Sequence, residues 1–237
     1  MSNKDPMIIS LRIGFWSAVL TAILAALFFA VGIVTPLRSV AYPYVNGLAA
    51  YVPGDYFWMY PAFLLAPVFV VLMACINAYA VESKKAFSQL GLAFAIIYAA
   101  IASTDYFIQF AVVEPSILKG ETASLSLFSQ YNPHGIFIAA ESFGYLMMTV
   151  AFLFAAVVFS GGKLQHAIRL LYSSGFVLAV GFLLGLSFLG YDIVSFEVAS
   201  ITIDCTVLIA SGVLLSLLFR RGSRSRPVLS REMPEAS

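Results

Sequence analysis

Charge is scarce in this sequence: 11% of its residues are Asp, Glu, Lys or Arg, where a soluble domain averages about 25%. So few charges cannot cover a water-facing surface, and they provide no basic face on which nucleic acid could sit. Cysteine is nearly missing as well. Cys75 and Cys205 both fall in apolar runs, far apart and without a CxxC or His spacing. A structural zinc site and a redox pair are therefore not expected. There is no glycine-rich phosphate loop, no HExxH and no GxSxG, so the common nucleotide, metalloprotease and serine-hydrolase signatures are absent. No lysine stands inside an apolar block, which removes the attachment point for a Schiff-base chromophore. The two halves of the chain show no repeat on alignment, although an inverted one would suit three spans per half. Nothing in the pattern specifies a cofactor or a metal.

What is abundant is hydrocarbon. Hydrophobic residues make up 61% of the chain and the mean hydropathy is +0.95. The apolar residues come in six blocks, at 13–33, 57–80, 90–113, 135–159, 170–189 and 198–219. Each is close to the ~20 residues that cross a ~30 Å hydrocarbon core as a helix. Continuous runs such as Met147 to Phe159 lack the period-two alternation of barrel strands. The first block exceeds the ~7–15 apolar residues of a secretion signal and ends at Thr35-Pro36 without an A-x-A-like site, so it reads as a retained helix. The expected fold is an all-α integral membrane protein, a single six-transmembrane-helix bundle over 1–219. Residues 220–237 form a basic, disordered tail in this reading.

The basic residues orient it. Lys4, Arg12, Lys84, Lys85, Lys163, Arg169, Arg220, Arg221, Arg224, Arg226 and Arg231 fall on one side of the spans, and only Arg38 and Lys119 on the other. Short loops rich in Lys and Arg stay in the cytoplasm, so both termini are expected there, in a plasma or bacterial inner membrane. Asp55, Glu114, Glu121, Asp192 and Glu197 lie on the opposite, outer side. Tyr42, Tyr44, Tyr51, Tyr56, Trp58 and Tyr60 crowd the first outer loop, with Tyr131 and Tyr191 near the other outer ends, as a headgroup-level aromatic belt would. Membrane lipids are the expected surroundings, and the tail arginines suit anionic headgroups.

Acids inside the spans stand out against this background. Asp105, Glu141 and Asp204 lie in the third, fourth and sixth blocks, each roughly 9–12 Å below the outer boundary at about 1.5 Å per residue. Tyr98, Asp105 and Gln109 share one helical face, as do Glu141 and Tyr145, and Glu197, Ser200, Asp204 and Ser211. An Asp at the helix centre costs ~2.5–3.5 kcal/mol on insertion scales. No basic residue inside a span offsets that, so the carboxyls must be protonated, hydrated or shared with a cation. His134, in the Tyr131-Asn132-Pro133-His134-Gly135 turn, falls about two helical turns above Glu141, with Asn132 placed to cap the helix. His166 reads as a solvated loop residue.

Asp105, Gln109, Glu141, Tyr145, Asp204 and His134 are thus the candidate ligand-binding residues, converging on one outer site for a cation, proton or small polar ligand. A carrier or receptor fits this best. An intramembrane enzyme acting on a lipid or isoprenoid, and a structural or assembly subunit, are the alternatives. Pro61 and Pro67 are expected to kink the second helix, and Gly181 and Gly185 to form a close-packing face on the fifth.

Overall fold

The computed structural model describes residues 6–229 apart from 37, 39, 45 and 191, with side chains over 7–223. Each apolar block is a helix: α1 Pro6–Val34, α2 Met59–Tyr79, α3 Lys85–Ile108, α5 Ile136–Ala156, α6 Lys163–Phe188 and α7 Ile193–Leu229. α3 runs on through a π turn at Gln109–Val113 into the short α4, Glu114–Lys119. Pro115 accounts for that turn. A proline in a helix offers no N–H and its ring crowds the carbonyl four residues back, and a wider turn relieves both. Six helices are long and apolar enough to cross a membrane, and no strand occurs among the described residues.

The helices form a ring in chain order, α1 beside α2, then α3, α5, α6 and α7, which closes on α1; α5 also reaches α7 across the ring. α1 and α7 run antiparallel, with Gly222 against Leu11 and Gly14 against Phe219. Large apolar side chains including Trp16, Phe107, Val177 and Phe188 stand exposed around the outside. Inside, Phe28, Phe69, Phe152, Phe159 and five tyrosines are buried.

One end gathers the basic loops. The Lys84 ammonium donates to the Val158 carbonyl and the Ser160 hydroxyl, and Lys85 donates to the Asn77 carbonyl. Both lysines thereby satisfy and neutralise helix C-termini, where the backbone carries partial negative charge. The Asn77 side chain accepts from Ser88, 2.7 Å away, tying α2 to α3 as an interhelical bond would. At the other end, here the loop end, Ser129 donates to the Tyr44 carbonyl and joins the α1–α2 connection to the α4–α5 connection.

Several expectations change. α7 starts at Ile193 rather than at 198 and continues past Phe219 to Leu229, so the first part of the expected disordered tail is helical. Residues 230–237 and Tyr191 lie outside the described residues. Pro61 sits in the first turn of α2, where its missing N–H has no intrahelical partner to lose, and Pro67 alone interrupts the interior. Gly181 faces outward on α6 with nothing within 4 Å of a Cβ there, while Gly185 is buried; close approaches are made at Gly14, Gly175 and Gly212. Asn132 does not cap α5: its Oδ1 accepts from the His134 amide in a two-residue turn, and Gly135 takes the cap position without a side-chain bond.

Candidate functional site

Helical period brings the polar stripes inward. On α5, Glu141, Tyr145 and Thr149 recur every fourth residue and all are buried. On α7, Glu197, Ser200, Asp204 and Ser211 are buried on one face, and α3 buries Tyr98, Asp105 and Tyr106 opposite α5.

Glu141 is the hub. Its Oε1 accepts a 2.5 Å hydrogen bond from the Tyr106 hydroxyl, and the Tyr145 hydroxyl lies 3.0 Å from Tyr106. A phenol carries one proton; with that of Tyr106 given to Glu141, Tyr145 donates to Tyr106 and the three form a directed chain. From α7, Glu197 brings its carboxyl close to that of Glu141, and the two line the same cavity. Two carboxyls this close can hydrogen-bond to one another only when one of them keeps its proton. Asp105 lies within Coulombic range of both, and its Oδ2 has no hydrogen-bond partner among the described residues. About two helical turns deeper, Asp204 pairs with the Thr149 hydroxyl at 3.1 and 3.4 Å, while Tyr98 and Tyr145 place their ring centroids 6.0 Å apart.

Glu141 and Glu197 also face open space. A cavity of about 610 Å³ lies between the last turns of α1 and the first turns of α5 and α7. Phe28, Trp58, Phe137 and Ile201 make its walls apolar, with Phe28 and Trp58 stacked at 5.6 Å. This volume falls in the roughly 300–1,000 Å³ range of small-molecule sites. The two glutamates are the charged groups at the cavity's inner end.

A second polar group rims the loop end. Arg38 donates through Nε to Asp55 Oδ2 at 2.6 Å, and the Tyr131 hydroxyl donates to the same oxygen at 2.5 Å. The guanidinium lies 4.1 Å from the Tyr51 ring centroid. The hydrogen bond Arg38 donates to Asp55 holds its guanidinium above its ordinary value. Burial, and then the Asp55 carboxylate, push the Tyr131 phenol up, so it remains a donor throughout the neutral range. All three line the cavity, so the α1–α2 and α4–α5 connections are tied together across its mouth.

The candidate residues read from the sequence are therefore distributed. Glu141 lines the cavity. Tyr145 and Asp105 support it from behind, and Asp204 stands deeper, bonded to Thr149. Gln109 is buried and donates to the Phe128 carbonyl at 3.0 Å, holding the α4–α5 connection and lying apart from the cavity wall. His134 is exposed and lines no part of the cavity; the rigid turn that was to aim it inward presents Pro133 there instead. Glu197, Tyr106 and the Arg38–Asp55–Tyr131 group went unread as site residues. Glu197 was discoverable: it lies seven residues before Asp204, on the same face. Among the described residues no cluster of three or more His, Cys, Asp or Glu could hold a metal ion. Compared with protein families, curated proteins and solved structures, the chain gives no match.

Proposed function

We propose that this chain is a multi-pass membrane protein, with both termini cytoplasmic, that takes a small cation or hydrogen-bond-donating molecule into the cavity from the outer side, as a carrier or a receptor. Insertion is supported by the six apolar helices and by the exposed ring of Trp16, Phe107, Val177 and Phe188, since water-soluble surfaces seldom carry so much contiguous apolar area. The side is supported by the basic loops gathered at one end.

The observation that carries the binding role is the Glu141–Glu197 pair at the inner end of a 610 Å³ cavity, with no basic side chain beside it. A buried carboxyl pair without a cation costs free energy that a purely structural seam would avoid by using Gln or Ser. A ligand that donates to the pair recovers that cost when bound. The Tyr145–Tyr106–Glu141 chain fixes the accepting carboxyl in one orientation, which is what a binding site needs of its polar anchor.

The test is a thermal-shift screen of purified protein against alkali cations, amines and polyols between about pH 5 and pH 8, a window that brackets neutral conditions. At least one class of donor should raise the melting temperature of the parent and leave Glu141→Gln and Glu197→Gln unmoved. A screen in which every compound acts equally on parent and variants refutes the reading.

A further inference from the structure

We infer that the ligand is a lipophilic amine that reaches the cavity from within the bilayer, passing between α1 and α7; this rests on the binding reading above and names its substrate class.

The path follows from how those two helices meet. Toward the basic end they are in backbone contact: a Cβ added at Gly212 would stand 2.7 Å from the Ala18 carbonyl oxygen and 2.9 Å from the Ala22 Cβ. Toward the loop end the same two helices form opposite walls of the cavity. There Gly32 of α1 has nothing within 4 Å of the position a Cβ would take. Ile33, 67% exposed, and Val198, 51% exposed, line the cavity and also present themselves on the outside of the bundle. The helices are thus clamped at one half and parted at the other, and the gap is bordered by hydrocarbon. That is a doorway for an apolar body, whereas the mouth above it is strapped by Arg38, Asp55 and Tyr131.

The head group follows from charge. Glu141 and Glu197 stand together at the inner end of an otherwise apolar cavity, and ionising either of them beside a bound cation supplies its counter-charge. Arg38 is the one cationic side chain lining the cavity among the described residues, and it is held by Asp55 at the mouth. An ammonium supplies the missing positive charge, donates to both carboxyls and sits beside the Phe28–Trp58 stack. A bare metal ion would need six or so oxygen ligands, more than this floor provides. The remaining depth, from Phe28 to Thr35 along α1, is about 10 Å at 1.5 Å per residue and lies between apolar walls, which suits a hydrocarbon chain.

Trp58 reports on the cavity, and Trp16, on the outer face of α1, is the other tryptophan in the chain. In Trp16→Phe protein reconstituted in lipid nanodiscs, dodecylamine should change the Trp58 emission saturably. Dodecanol and dodecanoate should bind about tenfold or more weakly, the loss expected when a charge-assisted contact is missing. Glu141→Gln and Glu197→Gln should weaken dodecylamine by a similar factor. Gly32→Leu and Val198→Phe, which fill the gap at exposed positions, should slow its association. Should a glutamine variant fail to fold, the dodecylamine–dodecanol comparison on the parent decides. Equal binding of dodecanol and dodecylamine would mean simple partitioning and overturns the inference. Methylamine binding as tightly as dodecylamine, and still requiring Glu141, also overturns it but leaves the cavity reading standing. If no amine of either kind binds in a Glu141-dependent way, both fail.

Discussion

Thr149 has one proton and two groups that ask for it. Its hydroxyl lies 2.9 Å from the Tyr145 carbonyl and 3.1 Å from Asp204 Oδ1. In apolar helices a buried threonine commonly bonds back to the carbonyl four residues earlier. With the proton spent there, the other bond calls for a proton on Asp204, and that acid is expected to be neutral. Asp204→Asn should then keep folding stability at pH 7 to within about 1 kcal/mol, because the amide donates where the acid did. Thr149→Ala should cost about 1–3 kcal/mol by leaving a buried polar group unpaired. Denaturation of the two variants beside the parent checks this, and a large loss in the asparagine variant would show that Asp204 is ionised. At the edge of the bundle the sign reverses. Asp192 accepts from the Ser195 amide at 2.7 Å and from the Ser195 hydroxyl at 3.1 Å, and these bonds, the amide first, lower its carboxyl below the usual range. A lowered folded-state value means the contribution is present above the unfolded value, about 3.9, and is lost as pH falls through the folded one. Asp192→Ala should therefore melt below the parent at neutral pH, with the gap closing toward about pH 3, under the carboxylate range. The interior acids could be read from the sequence because an acid in hydrocarbon is expensive anywhere except facing inward. Arg38, Asp55 and Tyr131 could not, since their meeting depends on how two loops fold over the bundle, for which helical period gives no rule.

Helix positions were legible to a few residues because length and hydropathy are local properties. The helix ends were less so: Glu197 shares a helical face with Asp204 but falls just before the apolar count starts at Val198, whereas hydrogen bonding carries α7 back to Ile193. Which small residues pack closely was not legible, because that depends on which face of a helix meets a neighbour. Gly181 matched the spacing for close packing, yet it lies on peripheral α6 and faces out; Gly212, spaced four residues from Ser216, touches the α1 backbone. The contrast can be measured. Gly212→Leu should destabilise by about 1–3 kcal/mol, as overpacking does, because a backbone carbonyl cannot swing aside as a side chain can. Gly181→Ala should be neutral or gain roughly 0.5–1 kcal/mol, since alanine is the better helix residue where space is open. Melting curves of both variants in one detergent would decide, and a stable Gly212→Leu protein would show that α1 and α7 are not held together at that level.

Across the whole molecule, the separation of charge and the shape of the bundle must agree on one orientation. Six long helices in sequential order return the chain to the end of the bundle from which it started, and the contacts of Gly14 with Phe219 and Gly222 with Leu11 bring α1 and α7 together there. The loops on that side hold Lys84, Lys85 and Lys163, and the cavity opens on the other, whose only basic residues are Arg38 and Lys119. Positive loops resist translocation, so the cavity is expected to face outward. Cysteine labelling can read this cleanly because Cys75 and Cys205 are both buried and free, which keeps background reaction low. Ser124 is exposed between α4 and α5 at the loop end, and Ser223 lies two residues past Arg221 on α7. A membrane-impermeant maleimide applied to intact cells should modify Ser124→Cys protein, and should reach Ser223→Cys protein only after the membrane is opened. The reverse pattern would turn the molecule over, place the glutamate pair in the inner leaflet, and make any ligand of that cavity one supplied from the cytoplasm.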